Sequence, residues 1–169
     1  TFAGATIEGT AAHRRAPSVN AETHDPDQAK YDAIAQRASE MVREGDTILL
    51  CSGALTERMV ERLLTFKSLT VVTNSLDAAR SFWRNPNYTI ILVGGQMHFD
   101  SGALHGTSGI AMLQNLRVNK AFIPCEGMSG AQGFATDDAE SAQLKAAMLA
   151  CAQQVIMLAA PQHIGLSSL

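Results

Sequence analysis

Four short stretches of Gly, Ser, Thr and Asn carry most of the chemistry this sequence offers: Ser52-Gly53 with Thr56 close behind, Thr73-Asn74-Ser75, Gly94-Gly95, and Glu126-Gly127-Met128-Ser129. Glycine lets backbone amides come close to a ligand, and hydroxyls and carboxamides both donate and accept hydrogen bonds. The combination suits a small, polyhydroxylated, anionic ligand. A helix starting just after Ser52-Gly53 would also aim unpaired N–H groups and the positive end of its dipole at a phosphate or carboxylate, without any lysine. The plainer account is that Ser52-Gly53 only turns the chain, as short glycine turns do in many α/β proteins.

Lys145 is the basic residue best placed to face the same edge, on the first half of an alanine-rich helix with Glu140 before it. Their spacing, close to one helical turn, would equally make them a solvated surface pair. Catalysis would need a general base and usually a second acid near the reacting carbon, and Glu126 stands alone at a strand end. There is no GxSxG elbow, no HExxH and no Walker lysine. The first turn reads Ser52-Gly53-Ala54-Leu55-Thr56 rather than GxGxxG, so no dinucleotide is expected. Cys51, Cys125, His98 and His105 carry donor atoms for a metal, but no ligand spacing groups them. Buried strand-end thiols and loop histidines are the plainer account, and neither a metal nor a cofactor is expected.

These groups need elements to hold them. Thr47-Ile48-Leu49-Leu50-Cys51 has no charge and reads as a strand buried on both faces, and the helical period Met59, Val60, Leu63, Leu64 follows it. Before it, Ile34, Ala35, Ala38, Met41 and Val42 share one helix face over residues 30 to 44, with Gly45 as the stop. Leu69-Thr70-Val71-Val72-Thr73 and Thr89-Ile90-Ile91-Leu92-Val93 are the next strands, and Leu76, Ala79, Phe82 and Trp83 form a helix between them. A looser segment, 96 to 105, leads to a short helix with Ile110, Met112, Leu113 and Leu116. The fourth strand, Lys120-Ala121-Phe122-Ile123-Pro124, runs into Glu126 and a polar loop to Thr136. Asp137 and Asp138 open the alanine-rich helix, and Val155-Ile156-Met157-Leu158-Ala159 is the fifth strand. Strand alternates with helix, and the strands are unbroken apolar runs. That pattern predicts an α/β fold, a mostly parallel, Rossmann-like sheet with helices on both faces. Ligands of such sheets bind outside the carboxyl ends of the strands, where the four polar stretches fall.

With 169 residues, 46% of them hydrophobic, the chain suits one domain, residues 29–169, after a linker or arm, residues 1–28. Thirteen Lys+Arg against 16 Asp+Glu give a net charge of -3, which excludes nucleic-acid binding by bulk charge. His13-Arg14-Arg15, the only tight basic cluster, reads as solvated. No apolar run is long enough to span a bilayer and no signal-peptide pattern opens the chain. The three dispersed cysteines read as reduced thiols, so a soluble cytoplasmic protein without membrane partners is expected. Thr1 in place of an initiator methionine reads as a fragment of something longer.

Taken together, SGALT, TVVTNS, ILVGG, the later Gly106, KAFIPCEGMS, GFATDD, Lys145 and a strand followed by PQHIG resemble, in order and spacing, the C-terminal effector-binding domain of DeoR-type bacterial transcriptional regulators. The resemblance covers residues 30 to 165. It implies a fold shared with ribose-5-phosphate isomerase and CoA transferases, a phosphorylated sugar as effector, and an N-terminal winged helix-turn-helix, absent from this chain, that binds operator DNA. It places Ser52, Gly53 and Thr56 around the phosphate. Thr73, Asn74 and Ser75 match the family's second ligand loop, Gly94 and Gly95 its third, and Glu126, Gly127 and Ser129 the loop at the related isomerase's active-site edge. Lys145 matches a lysine that the family carries on this helix.

The sequence departs from that pattern at several positions. Cys51 replaces an acidic residue, Ala54 and Leu55 replace threonine-like positions, and Ala160-Pro161-Gln162-His163 stands where the family has an Asp-Ser-Ser-Lys run. A neutral histidine in place of lysine weakens phosphate attraction at neutral pH. The chain also stops where the family continues with a further strand and helix. The expected function is a ligand-sensing domain of a sugar-metabolism repressor, acting as a homo-oligomer and not as an enzyme. The alternative on the same scaffold is a sugar-phosphate isomerase with Glu126 and Lys145 as acid and base.

Overall fold

Strands that are apolar at every position must be covered on both faces, and that requirement sets the architecture. The computed structural model describes residues 28–129, 133–136 and 138–165; residues 1–27 of the expected linker 1–28, with its His13-Arg14-Arg15 cluster, and Asp137 lie outside the described residues, while Gln28, expected in the linker, opens a helix. The chain runs α1 (Gln28–Ser39), β1 (Thr47–Leu50), α2 (Ala54–Leu63), β2 (Leu69–Thr73), α3 (Leu76–Phe82) and β3 (Tyr88–Leu92). It continues through β4 (Gln96–His98), β5 (Ala103–His105), α4 (Thr107–Gln114), β6 (Val118–Pro124), β7 (Gly127–Ser129), β8 (Gly133–Ala135), α5 (Ala139–Cys151), β9 (Ala152–Leu158) and a single 3-10 turn, Pro161–His163.

Five strands form one sheet in the order β3-β2-β1-β6-β9, and every pair in it is parallel. Successive side chains of a strand face opposite sides. Ile48 and Leu50 therefore join Ala35, Leu55, Met59, Leu63 and Phe82 beneath α1, α2 and α3. Leu49 joins Val72, Leu113, Ile123, Leu144 and Met148 beneath α4 and α5. The expected α/β fold with two covered faces is the observed one. The chain leaves β1 towards β2 and β3, then returns to the other side of β1 as β6. The order thus reverses between β1 and β6, and such a reversal opens a crevice at the carboxyl ends of the strands.

Four elements differ most from the expectation. Helix α1 ends at Ser39 instead of reaching 44. Beyond Gln36 its bonds tighten to the i−3 pattern, Met41 N to Ala38 O and Val42 N to Ser39 O, while the Ser39 hydroxyl donates to Ala35 O at 2.8 Å. Val42 still packs in the core. The segment 96 to 105 is not loose but an antiparallel hairpin, with Gln96 opposite His105. The polar loop after Glu126 carries a second hairpin, β7 with β8. Strands of three residues are too short to display an alternating pattern, so their sequences hold no readable period. Strand β9 begins at Ala152 rather than 155, because it is an edge strand and tolerates the exposed Gln153 and Gln154.

Candidate functional site

The β1–α2 turn is built to present backbone. The Thr56 hydroxyl lies between Cys51 O and Gly53 O, at 2.8 Å from the latter, and holds the turn shut. Gly53 has φ 151, where a Cβ would stand 2.7 Å from Pro124 Cγ, so glycine is required. No side chain caps α2. The first N–H groups of the helix therefore lack side-chain partners at its positive end.

Asn74, 1% exposed, ties this turn to the β4–β5 hairpin. Its Oδ1 accepts from Ser52 N at 2.8 Å, and its Nδ2 donates to Ser52 Oγ at 3.1 Å and Leu104 O at 3.2 Å. Leu104 N returns a bond to Asn74 O at 2.8 Å. Gly95 serves the same hairpin: a Cβ there would stand 1.9 Å from His105 O.

On the far side, Lys145 Nζ donates to Glu126 Oε1 at 2.9 Å, Glu126 Oε2 at 2.7 Å and Thr136 Oγ1 at 2.9 Å. All three ammonium hydrogens are engaged. Asp138 caps α5, accepting from Ser141 N at 2.8 Å and Ser141 Oγ at 2.6 Å, and the Ser141 hydroxyl first, then its N–H, hold the carboxyl below its ordinary range.

Between these walls lies a cavity of about 570 Å³. Of the residues expected at the site, Ser52, Gly53, Asn74, Glu126 and Lys145 line it. Thr56, Thr73, Ser75, Gly94, Gly95, Gly127 and Ser129 are not among its lining residues. Thr73 Oγ1 donates to Leu50 O and accepts from Ser75 N, and Ser75 Oγ caps α3 through Ala78 N. Gly127 and Ser129 lie in β7, opposite Ala135 and Gly133. Gly94 O would be 2.6 Å from a Cβ on Gly109, so this loop is packed against α4.

The cavity also takes in groups the sequence reading did not assign to a ligand: Glu57, Asp77, Asp100, Asp138 and the histidines His98 and His105. Burial, then the charge of Asp77, pushes the Glu57 carboxyl up. Glu57 and Asp77 sit in first helical turns, where acids also serve the dipole, so type and spacing alone could not mark them. The rings of His98 and His105 stack, 4.3 Å between centroids and 18° between planes. Among the described residues, no three or more His, Cys, Asp or Glu are grouped to hold a metal. His163 Nδ1 lies 3.0 Å from Cys125 O, so this nitrogen carries the proton and donates.

Residues 27–169 match the family described as the DeoR C terminal sensor domain. The chain belongs to that family. The sensor domain is 32% identical to the HTH-type transcriptional regulator YulB of Bacillus subtilis over 127 residues, 75% of this chain and 49% of that protein. It is 30% identical to FruR of the same organism, over 78% of this chain and 52% of that protein. The glycerol-3-phosphate regulon repressor of Escherichia coli is 23% identical, over 83% and 57%. The chain thus spans about half the length of the curated relatives it matches.

Among solved structures, ribose 5-phosphate isomerase A from Methanocaldococcus jannaschii has a TM-score of 0.57 at 13% identity, covering 82% of this chain and 55% of that one. The tetrameric eIF2B-beta2-delta2 complex from C. thermophilum has 0.56 at 18%, covering 82% and 43%. At those identities the likeness is one of fold, Rossmann-like as expected. The sensor domain is regulatory, and its curated relatives are transcriptional regulators rather than enzymes. No described helix is long and apolar enough to cross a membrane.

Proposed function

We propose that this sensor domain binds a small polyhydroxylated effector, a phosphorylated sugar or polyol phosphate, and that occupancy shifts the arrangement of homo-oligomeric subunits and of DNA-binding modules outside this chain. The whole protein acts as a cytoplasmic repressor of sugar metabolism. The observation that carries the reading is the uncapped start of α2 opening on a cavity of about 570 Å³ that Lys145 also lines. Ser52, Gly53 and the first amides of α2 receive the anionic group, while Lys145 exchanges part of its hold on Glu126 for the ligand. Asn74 positions the turn. The regulon named for the Escherichia coli relative, glycerol-3-phosphate, belongs to the same ligand class.

The carboxylates Glu57, Asp77 and Asp100 on the same cavity favour a second reading, an unphosphorylated polyol whose hydroxyls they accept. A thermal-shift panel separates the two: aldose, ketose and polyol phosphates of three to six carbons, glycerol 3-phosphate among them, each beside its unphosphorylated form, with inorganic phosphate alone. A ligand at one hundred times its Kd adds about 2.7 kcal/mol of stability. Protection by a phosphorylated member at millimolar concentration, well beyond that by its partner compound, is the expected result. Protection by the neutral form alone replaces the first reading with the second.

A further inference from the structure

Among the described residues a single buried side-chain nitrogen or oxygen lacks a hydrogen-bond partner, and it is Nδ1 of His105. His105 is 8% exposed and lines the cavity. Buried polar groups are nearly always paired, so an orphan in a cavity wall marks a group whose partner comes from elsewhere. For stability alone, an apolar ring would serve this position better.

The surroundings hold the imidazole ready. Its backbone is fixed on both sides, by the pairing of His105 with Gln96 and by the bond from Leu104 N to Asn74 O. The His98 ring stacks on it, and His98 Nε2 in turn lies 3.5 Å from Glu140 Oε2. Burial first, then the neighbouring His98, lowers the pKa of His105, so the ring is neutral at neutral pH. A neutral imidazole has one donor and one acceptor, the same pair that a sugar hydroxyl offers. Rotation by half a turn about χ2 exchanges Nδ1 with Cδ2 and leaves the ring in the same plane, so either edge of the stacked ring can carry the nitrogen.

We propose that His105 is the specificity-determining contact of this cavity: its imidazole hydrogen-bonds a hydroxyl of the bound effector, with His98 as the positioning residue that keeps the ring in plane. This rests on the effector reading above and deepens it, by assigning the recognition of hydroxyl configuration to the β4–β5 hairpin and that of the anionic group to the start of α2.

The test compares wild type, His105→Phe and His105→Gln, using the panel compound that best protects the wild type, its epimers, and inorganic phosphate. Phenylalanine keeps the stack and removes both nitrogens. The variant is expected to melt no lower than wild type when unliganded, and to bind the preferred compound about tenfold more weakly. Discrimination between epimers should collapse while binding of inorganic phosphate does not change, and glutamine should restore part of the discrimination. An unchanged epimer ratio in both variants overturns the inference and leaves the effector reading standing. Equal losses for the sugar and for inorganic phosphate also overturn it, since a merely structural ring would give that result. If no compound protects the wild type, the effector reading fails and this inference fails with it. If His105→Phe does not fold, the glutamine variant and a His98→Phe variant read the same epimer ratio.

Discussion

Lys145 and Glu126 stand nineteen residues apart in sequence and meet at the rim of the sheet, with Nζ within 2.9 Å of both carboxylate oxygens. The lysine side chain is 14% exposed and the glutamate 33%, so the pair is only partly shielded from water. It gives the cavity a cation whose charge is already balanced. An anionic ligand gains Lys145 by sharing it with Glu126, which tempers affinity and makes binding sensitive to either partner.

Lys145→Met should abolish protection by a phosphorylated ligand. It should also cost about 1–2 kcal/mol of stability, less than a fully buried pair because Glu126 reaches solvent. Adding Glu126→Gln removes the stranded charge. The double variant is expected to regain stability but not ligand protection, measured by urea unfolding with and without ligand.

Gly53→Ala should destabilise by about 1–3 kcal/mol, since an L side chain is strained at φ 151 and its Cβ would press on Pro124 at 2.7 Å. Gly94 has nothing within 4 Å of a built Cβ and no positive φ. Gly94→Ala should stay within about 0.5 kcal/mol of wild type. Equal losses in the two variants would contradict the strain assigned to Gly53.

His105 sets a pH dependence of definite sign. Its folded pKa lies below the ordinary 6.5, so below pH 6.5 the unfolded chain binds more protons than the folded one. The stability it contributes is complete above that value and is lost as pH falls through the folded pKa. The groups facing the ring are His98 and Lys145, which oppose its protonation, and Glu140 and Asp138, which favour it. Unfolding midpoints in urea between pH 7.5 and 5 should decline, and the decline should be smaller in His105→Phe.

The three cysteines should be inert in the native protein. All are buried, and burial pushes the Cys51 thiol up to about 12, against the opposing pull of the Lys145 charge. Burial likewise raises Cys125 and Cys151. A thiol-reactive dye at pH 8 should label none quickly and all three after denaturation. Fast labelling of native Cys51 would mean that the cavity floor is open.

The order of strands and helices could be read from the sequence by itself, because the runs Ile48-Leu49-Leu50 and Val71-Val72 have no polar face and can only be buried twice. Alternation with helices then leaves a parallel sheet as the economical arrangement. The turn at Ser52-Gly53 and the lysine at 145 could also be read, since glycine type and family order mark them. What needed the tertiary structure was which of these polar groups the fold itself consumes, whether their partners are near in sequence or far. Asn74 looks like a ligand-loop amide but spends both its ends on Ser52 and Leu104. Thr56 looks like a phosphate hydroxyl but staples its own turn. His98 and His105 carry no periodic signal, because their hairpin is three residues deep on each side and is fixed by Gly95 and Asn74 rather than by its own pattern. A sequence states which groups are available. Which of them are consumed in holding the fold, and which are left for a ligand, depends on pairings that only the folded chain makes.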